Sequence, residues 1–358
     1  MVVQLSPAPP PSYPRTGQGH DRRFRPRRGV RARTNLWRAE ITVAALVLVL
    51  VTIALTTWPA TAPSRRMPTG VTLVRSGLVM ADSFETSTPN RELQDHYVFN
   101  GSAAPGVGWI AARGRGLDVG VGSHANWAGW FAVTLRAAGP DVVWHALMSR
   151  PATPVVDGVG EAVLAVQSAS TQHNGSINYV VVSALSSRGK STWQIGSAHG
   201  FVSDAVTDRL WQEPLRVGTP STEPVTLRTD GHRALTVWFG NRQVYSSHDL
   251  HMNDPAPFQA YLEVQGRGIP YVSNFKNFWV ADAAPVTVQG VAPGSKVTLD
   301  TGHAEVRATA DAGGRAELHV PAPELVGAGT LRVRSRSGVR TFRHLHYAGG
   351  DVVQITAP

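Results

Sequence analysis

Two glutamates set in apolar strands are the residues of this chain best suited to acid–base chemistry. Glu161 lies in GEAVLAVQ and Glu263 in AYLEVQ. Both segments alternate, so Ala162, Leu164 and Val166, or Leu262 and Val264, point one way while the glutamate points the other. Each is followed by an amide on its own face, Gln167 or Gln265. Two carboxylates about 5.5 Å apart serve retaining glycoside hydrolysis, one as acid and one as nucleophile. No two carboxylates stand at i and i+2 anywhere in the chain, so such a pair has to come from two different strands. Asp204 and Asp208, four apart in FVSDAVTDRLWQEP, read instead as solvated acids on a helical turn or loop.

The same faces suit binding without catalysis. Tyr261, Glu263 and Gln265 share a face, and Trp238 points away from Leu235, Val237 and Phe239. Trp130 likewise opposes Phe131, Val133 and Leu135. Aromatic platforms beside amide and carboxylate acceptors match a sugar ring, which offers apolar C–H faces and hydroxyls together. A Trp on the second face of a curved sheet also serves simply as its cover, and that reading stays open for both tryptophans. His248, Asp249, His251, Asn253 and Asp254 in SSHDLHMNDP, and His344 with His346 in FRHLHY, mix nitrogen and oxygen donors without a fixed loop geometry. They read as solvated, and neither metal nor cofactor is expected. The chain contains no G-x-S-x-G and no phosphate-binding loop, and Gly114-Arg115-Gly116 lacks the third glycine of a dinucleotide fingerprint.

The elements that carry these residues are strands. Charged residues make up 16% of the 358, Gly and Pro number 35 and 25, and there is no Cys. Disulfide frameworks and thiolate chemistry are thereby excluded, and short strands with turns are favoured over long helices. Alternation recurs in Leu117, Val119 and Val121 and in Phe131 and Val133, with turn chemistry at Asn174-Gly175, Asp230-Gly231 and Gly240-Asn241. Eight Trp fall between 109 and 279 and none after it, which places a boundary near Ala283. Beyond it, about seven short strands suit a small sandwich.

The net charge of +9 belongs to the N-terminus. Residues 1–40 hold nine Arg and two acids, a balance of +7, which leaves +2 for the rest and argues against a nucleic-acid partner. Ile41 to Thr57 is an uncharged apolar run of seventeen residues, about 25 Å as a helix, flanked by Trp37 and Trp58. With eight Arg immediately before it, the expected topology is cytoplasmic N-terminus and everything after about residue 59 outside. Ala60-Thr61-Ala62 resembles a cleavage site, but the following Pro63 favours an uncleaved anchor. The expected organisation is a disordered basic tail (1–37), a transmembrane helix (38–58), a linker (59–78), a β-sandwich (79–283) and a smaller β-sandwich (284–358).

Residues 79–283 resemble the concanavalin A-like lectin/glucanase superfamily, which includes laminin-G-like jelly rolls. The resemblance rests on ADSFE (81–85), Trp109, the hairpin TDGHRALTVWFGNRQVYSS (229–247) and the closing strand YVSNFKNFWV (271–280). The last module, with ADAGGRAELHVP, looks like a bacterial surface immunoglobulin-like domain, and the resemblance implies a spacer. The expected fold class is thus an all-β outer region, a jelly roll plus an immunoglobulin-like sandwich, on one N-terminal transmembrane helix. The leading functional expectation is an extracytoplasmic binding or adhesion protein for cell-envelope polysaccharide or glycoconjugate, using Trp238, Tyr261, Glu263, Gln265 and Trp130. The alternatives are a carbohydrate-active hydrolase using Glu161 and Glu263, or a scaffold with a protein partner in a membrane complex.

Overall fold

The computed structural model describes residues 65–356 except 66 and the segments 85–96, 102–107, 113–115, 124–127, 135–137, 140, 150, 152–153, 169–175, 202–205, 216–221, 231–232 and 251–256. The apolar run at 41–57 and the basic tail lie outside the described residues. Among the described residues no helix is long and apolar enough to cross a membrane.

Those residues are all-β apart from one 3-10 turn at Ala322–Glu324. The chain opens with β1 (Val71–Arg75), β2 (Leu78–Asp82), β3 (Tyr97–Gly101), β4 (Gly108–Ala112), β5 (Leu117–Val121), β6 (Ala128–Thr134), β7 (Val142–Ser149) and β8 (Val159–Ser168). Next come β9 (Ser176–Ser187), β10 (Lys190–Phe201), β11 (Val206–Pro214), β12 (Thr222–Thr229), β13 (Leu235–Phe239), β14 (Arg242–Ser247), β15 (Phe258–Arg267) and β16 (Tyr271–Asp282). The last are β17 (Val286–Gln289), β18 (Lys296–Asp300), β19 (Glu305–Thr309), β20 (Ala316–Leu318), β21 (Val326–Ser335), β22 (Gly338–Ala348) and β23 (Val352–Ile355).

Two large sheets form the first sandwich. One runs β11-β10-β9-β8-β15-β6-β3; the other runs β14-β13-β12-β7-β16-β5-β4, with β2 also paired to β16. Period-2 alternation decides what lies between them. Leu164, Val166, Val180, Val182, Leu262 and Val264 from the first sheet meet Trp144, Met148, Leu227, Val237 and Phe275 from the second in one buried cluster. The second sandwich pairs β1-β23-β17-β20 with β19-β18-β21-β22 around Val288, Val297, Leu299, Leu331, Leu345 and Val353.

Two expectations are corrected by this arrangement. The stretch 59–78, read as a spacer, contains β1, which pairs antiparallel with β23 and so completes the second sandwich. The chain therefore enters that module before it builds the first one. Asp208 lies in β11, paired with Ser197 of β10, instead of a helical turn; Asp204 is outside the described residues. The two sandwiches are also packed together, because Val143, Trp279 and Ala281 on the outer face of the eight-stranded sheet are buried in the second module's core.

Candidate functional site

The outer face of the seven-stranded sheet carries both candidate glutamates. Strand pairing brings Glu161 of β8 directly opposite Gln265 of β15, and Glu263 opposite Val163. Directly opposed residues share a face, so Glu161 and Glu263 are diagonal neighbours, roughly 7 Å apart at the backbone. The row through Glu263 runs from Phe131 across Glu263 and Val163 to Ser183 and Gln194. The row beside it holds Gly129, Gln265, Glu161, Leu185 and Thr192. On the far side lie Val133, Tyr261, Ala165 and Val181, part of a small apolar cluster with Phe131 and Val163. The Phe131 and Tyr261 rings are 5.5 Å apart and tilted by 50°.

Each carboxylate is half-buried and has a polar neighbour. Gln265 Nε2 donates to Glu263 Oε1 at 2.9 Å. The Ser183 hydroxyl bonds Glu161. Burial raises Glu263 to about 7; the bond from Gln265 opposes the shift and the charge of Glu161 adds to it. Glu161 is raised as well, by burial against the opposing bond from Ser183. The same pair pushes its surroundings. Tyr179, raised to about 12 chiefly by burial, also feels both carboxylates, and Tyr271 is raised by burial and by Glu161. One proton holder near neutrality beside a second carboxylate is an acid–base pair.

Tyr261, Glu263 and Gln265 therefore share one face with Glu161, as their alternation predicts. The two tryptophans do not join them. Trp238 lies on the other sheet, opposite Thr226, in a row that continues through His145 to Trp279 on that sheet's outer face. Trp130 is opposite Val264, a core position, and so points inward against the main core. Its ring fills the space at Gly108, where a Cβ would lie 2.5 Å from it. The error is one of face: Phe131 and Val133 are apolar but belong to the outer cluster, so an alternation read from them places Trp130 on the wrong side. Sequence reading missed Ser183 and Tyr179, which pair with β8 from β9, and Gln194 of β10 beyond them; their relevance depends on strand order and not on any local pattern. His344 and His346 are exposed in β22, and among the described residues no group of three or more His, Asp or Glu could hold a metal ion.

The sheets and this site define a two-layer antiparallel β-sandwich with a carboxylate pair on the outer face of one layer. Several solved structures are similar in fold to the chain. They include the catalytic domain of an endo-1,3-β-glucanase (laminarinase) from Thermotoga petrophila, with 12% identity, a TM-score of 0.43, and coverage of 58% of this chain and 98% of the other. Porphyranase B from Zobellia galactanivorans matches at 8% identity and a TM-score of 0.42, covering 63% and 98%. A GlcNAcα1-4Gal-releasing endo-β-galactosidase from Clostridium perfringens matches at 9% and 0.42, covering 78% and 80%. No protein-family model matches the chain, and no curated protein matches it.

The leading expectation of a glycan-binding or adhesion module is corrected at this point. The platform it required is dispersed, with Trp238 on the opposite sheet and Trp130 in the core, while the two carboxylates of the hydrolase alternative lie together.

Proposed function

We propose that this chain is a carbohydrate-active hydrolase whose catalytic pair is Glu161 and Glu263. The observation that carries the reading is their diagonal placement on adjacent strands with Glu263 titrating at about 7. Glu263, raised to about 7 by burial and so able to hold a proton near neutrality, donates it to the glycosidic oxygen as that bond breaks. Glu161, held by Ser183, attacks the anomeric carbon; Glu263, now ionised, then takes a proton from the water that releases the sugar. Retaining chemistry needs about 5.5 Å between the two carboxyl groups, which diagonal side chains reach by leaning toward each other.

The first sandwich is read as concanavalin A-like and the second as an immunoglobulin-like spacer. The apolar run Ile41–Thr57 with the Arg-rich stretch before it supports a single-pass anchor with the sandwiches outside the cell. Protease-accessible tags on the C-terminus of intact cells are the expected result, and a protected C-terminus would remove that part of the reading.

The test of catalysis is a polysaccharide panel, neutral β-glucans and galactans included, assayed for new reducing ends. Glu161→Gln and Glu263→Gln should each lower kcat by at least a thousandfold with the thermal transition retained. Wild-type activity with a bell-shaped pH profile, its basic limb near 7, is the expected outcome. Cleavage that survives both substitutions would sink the assignment.

A further inference from the structure

The exposed face of the sheet β19-β18-β21-β22 has a charge distribution unlike the rest of its module. We propose that this face is a binding surface for a linear anionic polysaccharide, one bearing carboxylate, sulfate or phosphate groups along its length. The proposal goes beyond hydrolysis and does not depend on the Glu161–Glu263 pair.

Register puts the cations in two adjacent rows. Lys296 of β18 is directly opposite Arg334 of β21, with Thr309 and Val339 at the ends of that row. In the next row Thr298 stands between Arg307 and Arg332, followed by Thr341. Arg343 of β22 and Arg336 of the β21–β22 turn extend the group, and all six cations are exposed. Arg307 pairs with Glu305, and Arg332 lies 3.7 Å from Asp300. For Lys296, Arg334, Arg336 and Arg343 no carboxylate partner is found among the described residues. Elsewhere in the module the described charges balance: Arg65, Arg75, Arg315 and Arg340 stand against Asp311, Glu317, Glu324 and Asp351, with Arg65 paired to Asp351 and Arg315 to Glu317.

A directly opposed Lys296–Arg334 pair is a cost to the fold, since like charges facing each other across a strand pair repel. An anion spanning both removes that repulsion. Neighbouring strands stand about 4.8 Å apart and alternate residues on one strand roughly 7 Å, so the rows form a grid of cations on which an extended polyanion makes several contacts at once. The surroundings decide among polyanions. Val339 is the one large hydrophobic side chain strongly exposed on this face among the described residues, so there is no apolar wedge for a bilayer. No Phe, Tyr or Trp ring is exposed there for base stacking, and among the described residues no α-helix is present to enter a DNA groove. Hydroxyls of Thr298, Thr309 and Thr341 interleave with the cations, as hydroxylated and charged sugars both require.

The experiment uses the full chain in neutral-detergent micelles and fluorescein-labelled polygalacturonate, read by anisotropy. Binding should weaken steeply with added sodium chloride, as expected when several counterions are released. Lys296→Gln with Arg334→Gln should weaken it at least tenfold without moving the thermal transition, and Arg315→Gln, on a paired cation elsewhere, should leave it unchanged. Unlabelled polygalacturonate and carrageenan should compete, and neutral β-1,3-glucan should not. The proposal is overturned if the double variant binds like wild type, if neutral glucan competes equally, or if duplex DNA or anionic-lipid micelles bind this face while polygalacturonate does not. Hydrolysis is separable, because Glu263→Gln should keep polygalacturonate binding and the Lys296/Arg334 variant should keep turnover of neutral substrate.

Discussion

At the scale of the residue, Glu263 ties function to a cost in stability. It titrates at about 7 in the folded chain, against roughly 4.3 when exposed in an unfolded one. Between those values the folded state holds a proton that the unfolded state has released, so stability falls as pH rises from about 4.5 through 7. Gln is nearly isosteric and never ionises. Glu263→Gln should therefore melt at a higher temperature than wild type at pH 8 and at the same temperature at pH 4, in thermal unfolding followed by near-ultraviolet circular dichroism. A gain of equal size at both pH values would show that ionisation is not its cause. His145 illustrates a different outcome of burial. Lowered to about 4 by desolvation, it stays neutral, stacks on Trp279 at 4.8 Å and shares a hydrogen bond of 2.9 Å with Thr226 through Nδ1.

At the scale of the element, β1 is held in the second sandwich by more than its ladder. Arg65, just before it, gives both guanidinium nitrogens to Asp351, at 2.6 and 2.7 Å. Asp351 is fully buried and also accepts the backbone N–H groups of Gly77 at 2.9 Å and Ala348 at 2.7 Å. Removing one charge of a buried pair leaves the other uncompensated, which costs more than the pair itself contributes. Asp351→Asn is expected to destabilise the chain by about 3 kcal/mol in urea unfolding. A change below about 0.5 kcal/mol, the size typical of a surface site, would mean that the clamp is dispensable. Close packing supports the strand that carries Glu161 in a comparable way. Gly160 precedes Glu161, and a Cβ there would lie 2.1 Å from the Tyr271 ring, so β8 approaches β16 at a distance only glycine permits.

At the scale of the whole molecule, the two sandwiches are energetically joined. Val143, Trp279 and Ala281 are contributed by the first and buried in the core of the second. A fragment of residues 79–283 would expose them and would also lose β1. Burial of a large aromatic side chain is worth about 3 kcal/mol, so the isolated fragment should unfold at distinctly lower urea than residues 65–358. Coincident midpoints for the two would show that the junction contributes nothing. The same junction bears on any anchor before residue 65, because the Arg65 clamp meets Gly77 and Asp351 beside Asp282, where the modules touch. A tether there would hold both modules near its root.

Much of this was determined by local sequence. Alternation in AYLEVQ and GEAVLAVQ is a property of the strand's two-residue period, so it assigned Leu262, Val264, Leu164 and Val166 to the core and both glutamates to the other face. The absence of Cys and the density of Gly and Pro were enough to specify strands joined by turns and held by packing in the described residues. What local sequence could not determine was which strands are neighbours. Glu161 and Glu263 are about a hundred residues apart, and only the β8–β15 pairing makes them a pair; the same pairing rules sent Trp238 to the opposite sheet. Trp130 failed for a related reason, since an outer face with its own apolar cluster of Phe131, Val133 and Tyr261 presents two hydrophobic sides, and periodicity alone does not say which is inside. Strand order, the entry of β1 into the last module and the depth at which Glu263 is buried are long-range outcomes, set by which faces exclude water once all the strands have docked.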